Sequence, residues 1–336
     1  VTNRVNKIRP GVVIDDRFQI RSKIGAGSFG MVYFANDLAV GNMEVALKIL
    51  KPSALGKGSV VKRFEREARV ANYFDHPHII RCHYVGRIHL GKSPQAVPYM
   101  ALDLVRGLSL GDIIRARGPL WVSETVHALS QVLQGLQAVH ERGYVHRDLK
   151  PDNILVAAPL EHWTVPENSG SLAKRLGVPE ASAPLWRDIT TMTVRLADFG
   201  LAKKIKVRQL TDQTEEEALT REGQAAGTAE YMSPEQVLGS RDLDCRTDLY
   251  SCGVLIYRLI TGWAPYRGVR QADIALKHLT ESLPVLPPPL SNHPLNHVYK
   301  RAGERDRDSR YGSAVEMQSA LRRALSATRS RTRTSL

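Results

Sequence analysis

Cysteine is scarce in this chain of 336 residues: Cys82, Cys245 and Cys252 are the only three, and they are far apart. That excludes a disulfide framework and a cysteine-based zinc site, so the three read as packing residues in a reducing compartment. Long apolar runs are also missing. A membrane-spanning helix needs roughly 20 apolar residues, and the best stretch, Gly253 to Ile260, is short and contains Arg258. The opening residues Val1-Thr2-Asn3-Arg4 have no apolar signal-peptide core, and the expected location is the cytoplasm. Acidic residues are outnumbered, 34 against 47 Lys and Arg, which gives a formal net charge of +13. Such an excess can mark a nucleic-acid or membrane-surface binder. Much of it is local, because Leu321 to Leu336 holds Arg322, Arg323, Arg329, Arg331 and Arg333 and no acid. Residues 326–336 therefore read as a disordered basic tail, either solvated or touching a membrane surface, and no nucleic-acid partner is expected. With 24% charged and 43% hydrophobic residues the rest is ordinary globular chain, long enough for one large or two smaller domains.

The most informative stretch is His146-Arg147-Asp148-Leu149-Lys150-Pro151-Asp152-Asn153, between a helix-patterned segment and the strand-like Ile154-Leu155-Val156. An Asp and an Asn five residues apart on a tight loop can face one site. The carboxylate can take a proton from a hydroxyl while the amide oxygen ligates a metal. The order is the H-R-D-L-x-x-x-N of a protein-kinase catalytic loop. On these residues the chain resembles the eukaryotic-like serine/threonine protein kinases of the bacterial branch. A polar turn with a satisfied histidine is the bland alternative, and the companion motifs decide against it.

Phe18 to Ile24 alternates as a strand, and Gly25-Ala26-Gly27-Ser28-Phe29-Gly30 follows. A dinucleotide-binding turn shares this G-x-G-x-x-G spacing but needs a helix next, whereas Met31-Val32-Tyr33-Phe34-Ala35 is strand-like. The resemblance implies that Gly25 to Gly30 close over the ATP phosphates, with Val32, Ala46 and Leu155 enclosing the adenine. Val45-Ala46-Leu47-Lys48 matches the family's V-A-I-K, so Lys48 is implied to hold the α- and β-phosphates. A lysine in a half-buried strand needs an acidic partner. Glu67 is chosen because its spacing from Lys48, and that of His76-Pro77 beyond it, resemble the family; Glu65 lies about 200° around the helix, toward solvent. Tyr99 to Gly107 resembles the inter-lobe hinge, with Leu102 as gatekeeper and the Asp103 carbonyl and Val105 amide facing the adenine edge.

Gly118-Pro119 opens a helix with one apolar face, Val122, Val126, Leu129, Leu133, Leu136 and Val139, which stops at Gly143. The resemblance then implies that Asp148 orients and deprotonates the substrate hydroxyl. It implies that Asn153 and Asp198, of Asp198-Phe199-Gly200, hold Mg2+ (or Mn2+), that Lys150 steadies the γ-phosphate and marks Ser/Thr specificity, and that Phe199 packs under the helix of Glu67. Ala157 to about Thr191, with Trp163 and Trp186, departs from the family. It is read as a structural elaboration or a docking surface. In the activation segment, Asp198 to Glu235, Ser233 replaces the alanine of A-P-E. Thr228 is implied to bond the catalytic Asp and Lys. Thr220, then Thr214 and Thr211, are the candidates for autophosphorylation in trans by a second copy, the phosphate pairing with Arg147, Lys203 and Arg63. Asp248 is expected to cap the helix that comes after this segment and to bond the backbone near His146, and Arg310 to pair with Glu235.

The expected fold is α+β and two-lobed: a small antiparallel β lobe with one helix, and a larger, mainly helical lobe. Its parts are a lead-in (1–16), the small lobe (17–102), the hinge (103–107), the large lobe (108–325, with the insertion 157–191) and the tail. The implied activity is transfer of the ATP γ-phosphoryl group to Ser or Thr of protein substrates. A pseudokinase would lack Lys48, Asp148, Asn153 or Asp198, and all four are present. A small-molecule phosphotransferase would not need the segment Gly227 to Glu235. If the chain is a fragment, it would be the cytoplasmic domain of a membrane receptor kinase.

Overall fold

The computed structural model describes residues 4–5, 7–27, 29–91, 94–157, 189–204 and 229–333. The chain divides into two units between Gly107 and Leu108.

Alternating apolar residues build the first unit. Its strands are β1 (Arg4–Val5), β2 (Val13–Ile14), β3 (Phe18–Ala26), β4 (Gly30–Asp37), β5 (Met43–Leu50), β6 (Cys82–Leu90) and β7 (Ala96–Asp103). They form one seven-stranded sheet in the order β1-β6-β7-β5-β4-β3-β2. Every pairing is antiparallel except β1 with β6. The two-residue period of β5 divides its side chains between two cores. Val45, Leu47 and Ile49 join Phe18, Ile20, Tyr33 and Tyr99 on one side. Leu50 lies on the other, packed with Phe64, Ala68 and Ala71 of helix α1 (Gly58–Tyr73). Lys48 shares that second side by alternation, which turns it toward the helix.

The described residues of the lead-in contribute to this sheet. β1 lies beside β6 at one edge and β2 beside β3 at the other, while Ile8 and Val12 pack on the core between them. Two-residue strands are too short to show alternation, so the sequence carried no signal for them.

The second unit is mainly helical: α2 (Leu110–Arg117), α3 (Val122–Glu141), α4 (Pro234–Val237), α5 (Cys245–Thr261), α6 (Gln271–Thr280), α7 (Pro294–Ala302) and α8 (Ala314–Arg333). β8 (Gly107–Ser109), β10 (Ile154–Ala157) and β11 (Thr193–Leu196) form a small sheet with β11 at one edge. β9 (Tyr144–Val145) pairs with β12 (Lys203–Lys204). Helix α5 is the axis of the unit, with Leu249, Val254, Leu255, Ile256 and Leu259 all buried.

Two expectations are corrected here. The cap of α5 is Asp244, whose side chain accepts from the Arg246 amide at 2.9 Å, and Asp248 lies one turn inside the helix. Both acids precede the apolar run, so the pattern alone could not choose between them. The segment assigned to a disordered tail from residue 326 is helical through Arg333. No Gly or Pro follows Ala314, Ala, Arg and Leu are good helix formers, and Ala314, Met317, Leu321 and Ala324 anchor the helix in the core.

Buried polar pairs close the unit. Arg310 holds Glu235 in two bonds of 2.8 and 2.9 Å. Burial alone would raise the Glu235 carboxyl, but the guanidinium outweighs it and the pKa is lowered. His278 of α6 is fully buried, 2.8 Å from the Tyr250 hydroxyl and edge-on to Tyr266, and burial pushes its pKa down to about 4. A histidine lowered on folding contributes stability that is complete above its unfolded pKa and lost as pH falls toward the folded value. Unfolding free energy measured in urea should therefore fall by roughly 2 kcal/mol between pH 7 and pH 5 from this group alone. The variant His278→Asn should show a correspondingly flatter profile. An unchanged slope would remove His278 from the account.

Candidate active site

In the first unit the two faces of β5 and the pitch of α1 bring Lys48 and Glu67 together. Lys48 Nζ lies 2.5 and 2.7 Å from the two carboxylate oxygens of Glu67, which is buried. Glu65 lies on the outer side of the helix, 2.5 Å from the exposed Arg87. The glycine-rich turn joins β3 to β4, with the Gly27 amide donating to the Gly30 carbonyl at 2.9 Å and Lys51 Nζ donating to the Gly27 carbonyl at 2.6 Å. A side chain at Gly30 would come within 3.2 Å of the Ile49 carbonyl, a tight contact that the strand backbone would have to shift to accommodate. At Gly27 a Cβ would meet nothing, so the described fold does not itself demand that glycine.

Gly25, Ala26 and Phe29 flank this turn, and Ser28 lies outside the described residues. Val32 pairs with Lys48 across β4 and β5, and Ala46 pairs with Leu102 across β5 and β7. The Asp103 side chain is tied to His83 at 2.7 Å and to the Arg81 amide at 3.1 Å. Val105 comes after β7 in the short link before β8.

In the second unit α3 ends at Glu141, Gly143 turns the chain at φ +73°, and β9 delivers it into the loop. Asp248, fully buried on α5, receives the amides of His146 and Arg147 at 2.9 Å each and lies 2.8 Å from His140 Nε2. Burial would raise this carboxyl, but the His140 contact and the backbone donors prevail and its pKa is lowered. Between these anchors Arg147 adopts φ +71°, a conformation costing about 1–3 kcal/mol in a non-glycine residue.

The loop then collects its polar groups. Asp148 is buried, Lys150 Nζ lies 3.0 and 3.2 Å from its carboxylate oxygens, and Asn153 Nδ2 donates to its carbonyl at 2.8 Å and its carboxylate at 3.1 Å. Ala197 ties in the next segment, its amide donating to the Asn153 carbonyl at 2.9 Å and its carbonyl 3.2 Å from His146 Nε2. Asp198 is next at φ +61°, and the buried Phe199 ring lies tilted against His146, with centroids 4.8 Å apart.

Leu155 is half-buried on β10. Lys203 pairs with Val145, two residues before Arg147. Thr211, Thr214, Thr220 and Thr228, and residues 158–188 with both tryptophans, lie outside the described residues. Sequence reasoning passed over His140, which supports Asp248, and Gln236, whose side-chain amide donates to the Arg147 carbonyl at 2.8 Å. A polar residue among apolar helix positions was the one signal available for His140.

A family description, protein kinase domain, matches residues 18–319. The chain belongs to this family. It is 35% identical over 285 residues to serine/threonine-protein kinase pkn3 of Myxococcus xanthus, an alignment covering 84% of this chain and 44% of that protein. It is 29% identical over 313 residues to serine/threonine-protein kinase PknB of Mycobacterium leprae, covering 92% of this chain and 43% of that one. The chain thus spans less than half the length of these relatives.

Protein kinases use ATP with a divalent metal, and the oxygen donors of this domain suit one. Mg2+ binds one or two side-chain oxygens and takes its other ligands from phosphates and water. The amide nitrogen of Asn153 is committed to Asp148, which leaves its oxygen for a cation, and Asp198 supplies a carboxylate one residue beyond the Ala197 tie. Among the described residues no cluster of three or more His, Cys, Asp or Glu could hold a metal unaided.

Replacing Asp248 with Asn keeps the shape but sets an amide donor against one of three donors. Asp248→Asn should lower stability by about 2–4 kcal/mol. The remaining folded enzyme should lose kcat with little change in the KM for ATP. Wild-type kcat would show that the loop holds itself.

Proposed function

We propose that this chain is the catalytic part of a serine/threonine protein kinase, transferring the γ-phosphoryl group of ATP to hydroxyls of protein substrates. The observation that carries the reading is the convergence of Asp148, Lys150 and Asn153 within hydrogen-bond distance on one loop, with Ala197 tying Asp198 to it. In this reading Asp148 orients the acceptor hydroxyl and takes its proton, and Lys150 faces the charge that develops on the transferred group. Asn153 and Asp198 would hold Mg2+ (or Mn2+), which when bound neutralises phosphate charge. Lys48, steered by Glu67, would hold the α- and β-phosphates, beneath a turn formed by Gly25, Ala26, Gly27, Ser28, Phe29 and Gly30. Val32, Ala46 and Leu155 would contact the adenine faces, and the backbone of Asp103 and Val105 its edge. The match of relatives named as serine/threonine kinases, together with Lys150, supports the choice of acceptor.

Activation is proposed to depend on phosphorylation of one copy by another at Thr220, with Thr214 and Thr211 next, the phosphate pairing with Arg147. Thr228 would bond Asp148 and Lys150. The basic C-terminal segment would touch an anionic membrane surface from the cytoplasmic side, a contact that should weaken with salt in vesicle-binding assays.

Labelled ATP, Mg2+ and a protein acceptor test the chemistry. Asp148→Asn should bind nucleotide normally yet transfer roughly 10³-fold more slowly. Asp198→Asn should lose metal-dependent nucleotide binding, and Lys48→Met should be inactive but folded. Phosphosite mapping on active enzyme should find Thr220 modified and on Lys48→Met find it bare. Full turnover by Asp148→Asn would sink the mechanism.

A further inference from the structure

Among the described residues strand β11 is the edge of its sheet, and it follows the long insertion. An edge strand leaves a row of backbone donors and acceptors without a neighbouring strand. Here helix α3 supplies the missing neighbour from side chains. Gln131 accepts from the Val194 amide through Oε1 at 2.9 Å and donates to the Met192 carbonyl through Nε2 at 3.0 Å. The Val194 amide is on the strand and the Met192 carbonyl belongs to the residue just before it.

His127, one turn earlier, lies 3.0 Å from the same carbonyl and 2.6 Å from Gln131 Nε2. Because Gln131 Oε1 is fixed by the Val194 amide, its Nε2 has two hydrogens to give. One goes to the Met192 carbonyl, and the His127 ring nitrogen lies within hydrogen-bond distance of both groups. A further turn back, the buried Glu124 carboxylate accepts from the Ile189 amide at 3.4 Å, near the end of the insertion 157–191. Glu124, His127 and Gln131 are spaced i, i+3 and i+7, so they share one face of the helix. Glu124 is itself held by Arg117.

We propose that this polar face, and Gln131 above all, is the positioning element for Asp198, and that it uncouples Asp198 from the insertion. The reach is short. Val194 is on the strand that ends at Leu196, Ala197 bonds Asn153 and His146, and Asp198 comes next. A strand gripped at Ile189, Met192 and Val194 enters the Asp198 turn in one register whatever residues 158–188 do. Gln131 is a positioning residue, since it touches neither metal nor substrate. The inference rests on the kinase reading of Asp198.

The test uses the full chain, with Mn2+ as the probe in the presence of a non-hydrolysable ATP analogue. Direct titration by electron paramagnetic resonance gives the metal affinity, and hydrogen exchange reports the Val194 and Ala197 amides without turnover. Gln131→Leu removes both bonds. It should weaken Mn2+ binding roughly tenfold, the low end of what losing an outer hydrogen bond does to a metal site, and speed exchange at both amides. Gln131→Glu keeps the acceptor for Val194 but loses the donor to Met192, so it should move both readouts the same way by less, and it carries the test if the leucine variant does not fold. The control is Gln318→Leu, which removes a 2.7 Å bond from α8 to the carbonyl of Ser130, the residue next to Gln131, and leaves the Gln131 side-chain bonds in place. Compared at matched stability in urea, the control should leave both readouts at wild-type values. Wild-type Mn2+ affinity and exchange in both Gln131 variants would overturn the proposal, as would equal changes in the control. Failure of the wild-type chain to bind Mn2+ with the nucleotide analogue would instead count against the kinase reading itself.

Discussion

The amides of His146 and Arg147 are the first backbone groups of the catalytic loop, and both end on one carboxylate, Asp248, at the centre of the helical unit. Asp248 is fully buried, and a buried charge is tolerated only where hydrogen bonds replace its water. The loop amides and His140 are that replacement, so anion and loop need each other. Arg147 can then persist at positive φ, because its amide and its carbonyl are both held, the latter by Gln236. Fixing Arg147 in turn fixes the placement of Asp148, Lys150 and Asn153, and through Ala197 that of Asp198.

The same logic of satisfying buried polar groups runs through the rest of the unit. Arg310 neutralises Glu235 at the turn that begins α4, and Gln236, the next residue, reaches back to the loop. Gln131 and His127 serve an edge strand in place of a neighbouring one. In the first unit the Lys48–Glu67 pair has this character on a smaller scale, a lysine on a sheet face matched by the one glutamate of α1 turned toward it.

Much of this was legible in sequence because the first long strand, from Phe18, alternates at its start and because the motifs are compact. The helix α3 was readable from its apolar stripe alone, whereas the strand carrying Lys48 and the choice of Glu67 over Glu65 rested on the resemblance to kinase motifs, with helix geometry placing Glu65 on a different face. Other features carried little or no local signal. The two-residue strands of the lead-in are too short for a period. Asp244 and Asp248 are equally good caps on paper, and only packing shows that one caps the helix and the other is buried within it. A composition rich in Arg and Ser suggested disorder after residue 325, while the absence of any helix breaker let α8 continue. The roles of Gln131, His140 and Gln236 depend on partners tens of residues away, which no spacing rule reaches.

The central claim is that the catalytic loop is preset by its bond to Asp248 rather than formed on demand. Native-state hydrogen exchange of the His146 and Arg147 amides, tracked against denaturant, measures this directly. The account predicts that both amides exchange only through global unfolding, with the same free energy and denaturant dependence as the core of α5. Exchange through a local opening well below the global value would contradict it.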